Sequence, residues 1–152
     1  MAIYDAKFEL FDDATLVAST TTDYVGATVK TIDWINSDLE MGQGTPVWLN
    51  VRVGTTAYAG GTNATFNLYA DTAEAGHDSS SATVLSSGAR AITDLTAGAW
   101  IFRCPLPVNV DDRRYLSLGI VTDGATTAGT IDAWLDHGPQ SSFDTQVTTS
   151  NI

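Results

Sequence analysis

The run from Arg113 to His137, RRYLSLGIVTDGATTAGTIDAWLDH, constrains the fold more than any other part of the chain. Leu116, Leu118 and Ile120 alternate with Tyr115, Ser117 and Gly119. Beyond a Gly/Thr-rich turn, Ile131, Ala133 and Leu135 alternate with Asp132, Trp134 and Asp136. A period of two is the signature of a half-buried strand. The run therefore predicts two strands, joined as a long hairpin with one buried face.

Six further segments show the same alternation or a strand composition: Lys7 to Phe11, Thr28 to Trp34, Val47 to Val53, Ala64 to Asp71, Thr83 to Ser86 and Trp100 to Leu106. With Arg114 to Thr122 and Thr130 to His137 this makes eight strands, the jelly-roll number. Turn residues fall between them: Gly42 and Gly44 before Pro46, Gly60-Gly61, Gly76, Gly88, Thr96-Ala97-Gly98, Asp111-Asp112 and Asp123-Gly124. The spacing of strand starts is too short for helical crossovers between parallel strands. The expected fold is all-β: a jelly-roll β-sandwich of about eight antiparallel strands in two sheets. Only Asp33 to Met41 and Asp71 to Ser81 have room for a short helical turn, and neither carries an apolar stripe.

A length of 152 residues suits one domain with one core. The expected organisation is a single sandwich over 1–152, with a flexible N-terminal arm over about 1–7 and a C-terminal tail over about 141–152. The one cysteine, Cys104, cannot make an internal disulfide and reads as a small packed hydrophobe. Seven Lys+Arg against 18 Asp+Glu give a net charge of -11, which argues against nucleic acid as a partner, because phosphate contacts need clustered cations. The same acidity favours solubility or a basic partner surface. Met1 to Leu10 carries charges where a secretory signal would be apolar, and no run reaches the roughly 18 apolar residues of a membrane span. The chain is thus expected in the cytoplasm of the cell that makes it, without a membrane partner.

No catalytic constellation emerges. His77 and His137 have no metal-ligand spacing, and Asp12-Asp13 and Asp111-Asp112 lack the spacing of a calcium loop, so no metal or other cofactor is expected. Asp132 and Asp136 lie about 13 Å apart on one strand face, too far for a glycosidase pair. Phosphate-binding and nucleophile-elbow motifs are missing from the sequence. The chain reads as a binding protein and not an enzyme.

The aromatics are the interface candidates. Trp48, Tyr69 and Trp134 fall on the nominally outward rows of strands whose other rows already carry the apolar residues. Outward aromatics are either covered within the chain or reserved for a partner, where Trp and Tyr are favoured anchors. Trp34 and Trp100 read as core. Arg113 and Arg114 stand out in a chain poor in cations: beside Asp111-Asp112 they form a local ion pair, or one of them reaches a carboxylate of a neighbouring chain.

The PLP motif (Pro105, Leu106, Pro107), RYLSLGIVTDG and TAGTIDAWLDH, together with Gly42-Gln43-Gly44-Thr45-Pro46-Val47-Trp48-Leu49-Asn50-Val51 and Ala64-Thr65-Phe66-Asn67-Leu68-Tyr69, resemble the jelly-roll capsid cement proteins of tailed bacteriophages. The resemblance covers roughly residues 8 to 137, and the opening MAIYDAKFELFDDATLVAST matches more loosely. It implies a decoration protein on the outer capsid surface of the virion, bound between adjacent major capsid proteins and self-associated as a homotrimer or homodimer. The alternative class is a carbohydrate-binding module, since a sandwich with exposed aromatics and acids is also a lectin-like scaffold.

Overall fold

The structure, a computed structural model, describes residues 8–17, 31–33, 46–74, 81–107 and 114–136. These residues form nine strands: β1 (Glu9–Thr15), β2 (Ile32–Asp33), β3 (Trp48–Val53), β4 (Asn63–Asp71), β5 (Ala82–Ser86), β6 (Arg90–Ala91), β7 (Trp100–Pro105), β8 (Tyr115–Thr122) and β9 (Thr130–Asp136). A 3-10 turn at Ile92–Asp94 follows β6. The strands make a four-stranded sheet in the order β1-β9-β3-β7 and a five-stranded sheet in the order β2-β8-β4-β5, with β6 extending the β4 pairing. Every pairing is antiparallel.

Setting β6 aside, the chain alternates between the sheets at every step except β4 to β5, which are neighbours. That winding is the jelly roll. It corrects one expectation from the sequence. β8 and β9 do not form a hairpin: β8 pairs with β2 and β4, while β9 pairs with β1 and β3 in the other sheet. Alternation shows that each strand buries one face, and both do. It carries no information on which strand lies alongside.

The two inward rows meet in one core. Leu49, Val51 and Val53 of β3 lie beside Leu135, Ala133 and Ile131 of β9. In the other sheet, Phe66, Leu68 and Ala70 of β4 lie beside Ile120, Leu118 and Leu116 of β8. All twelve are buried. Burying one large aliphatic side chain contributes about 1.5–3 kcal/mol, so this double row is the main source of stability. Cys104 faces the same core, half-buried opposite Leu49, and burial pushes its thiol pKa up.

One end of the sandwich is tied by carboxylates. Asp123 accepts the N–H groups of Thr62 (2.8 Å) and Asn63 (2.9 Å) and the Asn63 amide (2.9 Å). These bonds fix the crossing from β8 to β9 against the link between β3 and β4. Gly129, on that crossing, has φ 147°, and a Cβ there would lie 2.5 Å from the Tyr58 ring. Tyr58 in turn packs edge-on to Phe66, with centroids 5.5 Å apart. Only glycine lets the backbone approach the ring this closely.

Strand β1 runs further than expected, through Asp12 and Asp13 to Thr15, with two register shifts against β9. The acids are accommodated because β1 is an edge and Asp13, at φ 42°, turns its carboxylate onto neighbouring donors. Of the expected strand over Thr28 to Trp34, Ile32–Asp33 is seen as β2; residues 28–30 and Trp34 lie outside the described residues, as do the terminal arms.

Candidate interface surface

The outward row of the four-stranded sheet is built from three strands. Trp48, Asn50 and Arg52 of β3 stand opposite Asp136, Trp134 and Asp132 of β9. β7 adds Trp100 and Arg103, which pair with Arg52 and Asn50. The Trp134 and Trp100 rings lie 5.9 Å apart at 57°, and the Arg103 guanidinium sits 4.8 Å above the Trp100 ring. Trp134 is 1% exposed, so it is a packed residue with no free surface to offer. Trp48 is half-buried and remains an accessible aromatic on this row.

Trp100, expected in the core, stands on this outward row instead. A register shift between Val51 and Arg52 turns it away from the interior, while Ile101 and Phe102 are both buried.

Charge on this face is held within the chain. Arg52 places Nε (2.8 Å) and Nη2 (2.7 Å) on one oxygen of Asp132, and the other oxygen accepts the Asp13 N–H (2.7 Å). Asp13 accepts the N–H (2.7 Å) and hydroxyl (2.6 Å) of Thr55. Hydrogen bonding from Thr130, then from Thr55, holds its carboxyl below the ordinary aspartate value. Asp13 and Asp132 are thereby committed to joining β1, β3 and β9. Asn50 is the exception on the row: it is fully buried, and neither end of its amide has a hydrogen-bond partner among the described residues.

The outward row of the five-stranded sheet is polar. Tyr69 is 5% exposed, and its phenol oxygen accepts a bond from the buried Asn67 amide (2.9 Å). It too is tied into its own sheet. Asp71 accepts the Ala73 N–H (2.9 Å) and the Ser81 hydroxyl, closing the link toward β5.

Arg114 pairs with Asp33 of β2 through Nε (2.8 Å) and Nη2 (2.6 Å), and lies 5.3 Å over the Tyr115 ring. Among the described residues its partner is a carboxylate 81 residues away that β2 brings alongside the start of β8, and the expected local pairing with Asp111-Asp112 falls on residues outside those described. Asp33 also raises the guanidinium pKa. Arg113, Asp111, Asp112, His77 and His137 lie outside the described residues.

The four described candidates therefore do not form one patch: Trp48 and Trp134 share the four-stranded sheet, while Tyr69 lies in the other and Arg114 immediately precedes its strand β8. Among the described residues, no group of three His, Cys, Asp or Glu side chains gathers to hold a metal, and no helix is long and apolar enough to cross a membrane.

The model of the Bbp16 family matches residues 12–135. The chain belongs to the Bbp16 family. The matched region runs from β1 into β9, spanning the described sandwich except residues 8–11 and 136. No curated protein matches the sequence.

Proposed function

We propose that this protein is a phage capsid cement protein, which binds the outer shell between adjacent major capsid proteins and stabilises the expanded head. The observation that carries the reading is the coincidence of the Bbp16 family match over residues 12–135, which suggests a phage-associated protein, with a jelly-roll strand order over the same span. Its work is binding and not catalysis. A ligand that engages only the expanded shell stabilises that state by its binding free energy, and many symmetric copies make a modest affinity per site effective. Self-association as a trimer or dimer matches the local axes of an icosahedral shell. The net charge of -11 supports a basic protein surface as the partner and disfavours the packaged genome.

The carbohydrate-binding alternative loses its main support in this geometry. Trp134 and Tyr69, two of the three aromatics that would make a sugar platform, are buried.

Co-sedimentation with expanded, undecorated capsids tests the proposal, with procapsids and an unrelated shell as controls. Saturable binding to the expanded shell alone, at a fixed number of copies per capsomer, is the expected result. Absence of binding to any of the shells overturns it.

A further inference from the structure

A sandwich with open sheets leaves strand edges, and each edge is a row of unpaired N–H and C=O groups unless something blocks it. Three of the four principal edges are blocked here. β1 carries Glu9, Asp12 and Asp13 and two register shifts. β2 is two residues long and ends in the Asp33–Arg114 pair. β7 carries the exposed Arg103 and ends at Pro105, which has no N–H, and the Arg90 guanidinium donates to its Ile101 carbonyl (3.3 Å).

β5 has one register shift against β4, but none of the charges, proline or side-chain ties that guard the other edges. Its sequence, Ala82-Thr83-Val84-Leu85-Ser86, contains no charge and no proline, and its residues are half-buried or exposed. Among the described residues it pairs with β4 on one side only. The Ser87 N–H donates to the Phe66 carbonyl (2.9 Å), and antiparallel alternation then turns the N–H and C=O of Ser86 toward the open side. The short β6 continues the β4 pairing beyond β5 and does not cover that side.

We infer that β5 is a docking edge for an extended, uncharged strand of a protein partner, flanked by basic residues, which adds to the five-stranded sheet beside Ala82–Ser86. Main-chain hydrogen bonds supply the affinity in such strand addition, and the side chains at alternate positions supply the specificity. Charge favours a basic partner over a second copy at this edge. Each copy carries -11, so edge-to-edge pairing of two copies is repulsive, whereas Lys or Arg flanking a partner strand is attracted. The identification of that partner with the capsid protein rests on the function proposed above; the edge itself does not.

Ser86→Pro tests the edge, because it removes one outward N–H at a position where an edge strand tolerates proline. Arg103→Pro on the guarded β7 edge is the control. Thermal unfolding of both variants is followed first to establish that each folds, and each is then co-sedimented with expanded capsids. The expected result is a loss of about tenfold or more in affinity for Ser86→Pro alone, with slowed amide exchange at Ser86 in the bound wild-type protein. Wild-type affinity for Ser86→Pro, or unchanged exchange at Ser86 on binding, overturns the docking edge and leaves the cement role standing. If the wild-type protein binds no shell, the cement role fails instead. The edge is then judged by NMR titration with the peptide Lys-Thr-Val-Thr-Val-Thr-Lys: shifts confined to β5 and its neighbours uphold it, and none overturns it. A wild-type dimer that Ser86→Pro dissociates also overturns it, since the occupant would be a second copy. Should Ser86→Pro fail to fold, Ser86→Lys replaces it, with the same outcomes.

Discussion

The two sheets share one core but treat their outward sides differently. The four-stranded sheet locks its outward row with two tryptophans, an Arg52–Asp132 pair and the Asp13 carboxylate, and both of its edges are guarded. The five-stranded sheet has a polar outward row, with its Arg114–Asp33 pair half open to solvent and its β5 edge free of charge and proline. Most aromatic and charged residues of the four-stranded sheet are therefore spent on internal packing, and on this account the neutral five-residue β5 is the side left for a partner. Composition alone points the other way, because tryptophan and arginine are the residues most associated with interfaces.

The largest test of that contrast is Trp134→Ala. If the ring is packing and not a contact residue, its loss destabilises the fold by about 3–5 kcal/mol in chemical denaturation. A change within error would return Trp134 to the interface. Arg52→Ala comes next: it leaves Asp132 with its charge largely buried, and a cost of about 3 kcal/mol is expected. Asn50→Leu should act in the opposite direction, raising stability by about 1 kcal/mol, because it removes a buried amide that makes no hydrogen bond among the described residues. Destabilisation there would mean that the amide has a role the fold does not explain.

Acid titration has a smaller, signed effect. Asp13 and Asp123 are both held below the ordinary aspartate value of 3.8 by the hydrogen bonds they accept. Their contribution to stability is complete above that value and is lost as pH falls through the lowered values of the folded state. Denaturation midpoints should be flat above about pH 5 and fall below about pH 4, and Asp123→Asn should flatten part of that fall. Smallest of all is Arg114→Ala, which should leave the midpoint unchanged, since an exposed pair is screened by solvent.

Much of the fold was legible because one physical signal, alternation of period two, recurs in nearly every strand. The rows Leu116-Leu118-Ile120 and Ile131-Ala133-Leu135 face inward as read. What alternation cannot carry is which strand lies alongside. For that reason β8 and β9 read as a hairpin although they lie in different sheets, and Asp33 was not identifiable as the partner of Arg114 across 81 residues. The outward rows of Trp48, Tyr69 and Trp134 were also readable, but their burial was not. Trp134 is covered in part by Trp100, which a single register shift moves out of the core, and Tyr69 is held by Asn67 two residues away. β5 was legible as a strand, but its standing as an open edge exists only once the sheet order is known.

The central claim is that this protein acts by holding an expanded shell together. Heating DNA-filled heads that lack it, with and without saturating purified protein, and following DNA release by dye fluorescence tests that claim most directly. The account predicts a release temperature that rises with protein concentration and saturates at the copy number found by co-sedimentation. Saturable binding with an unchanged release temperature would contradict it.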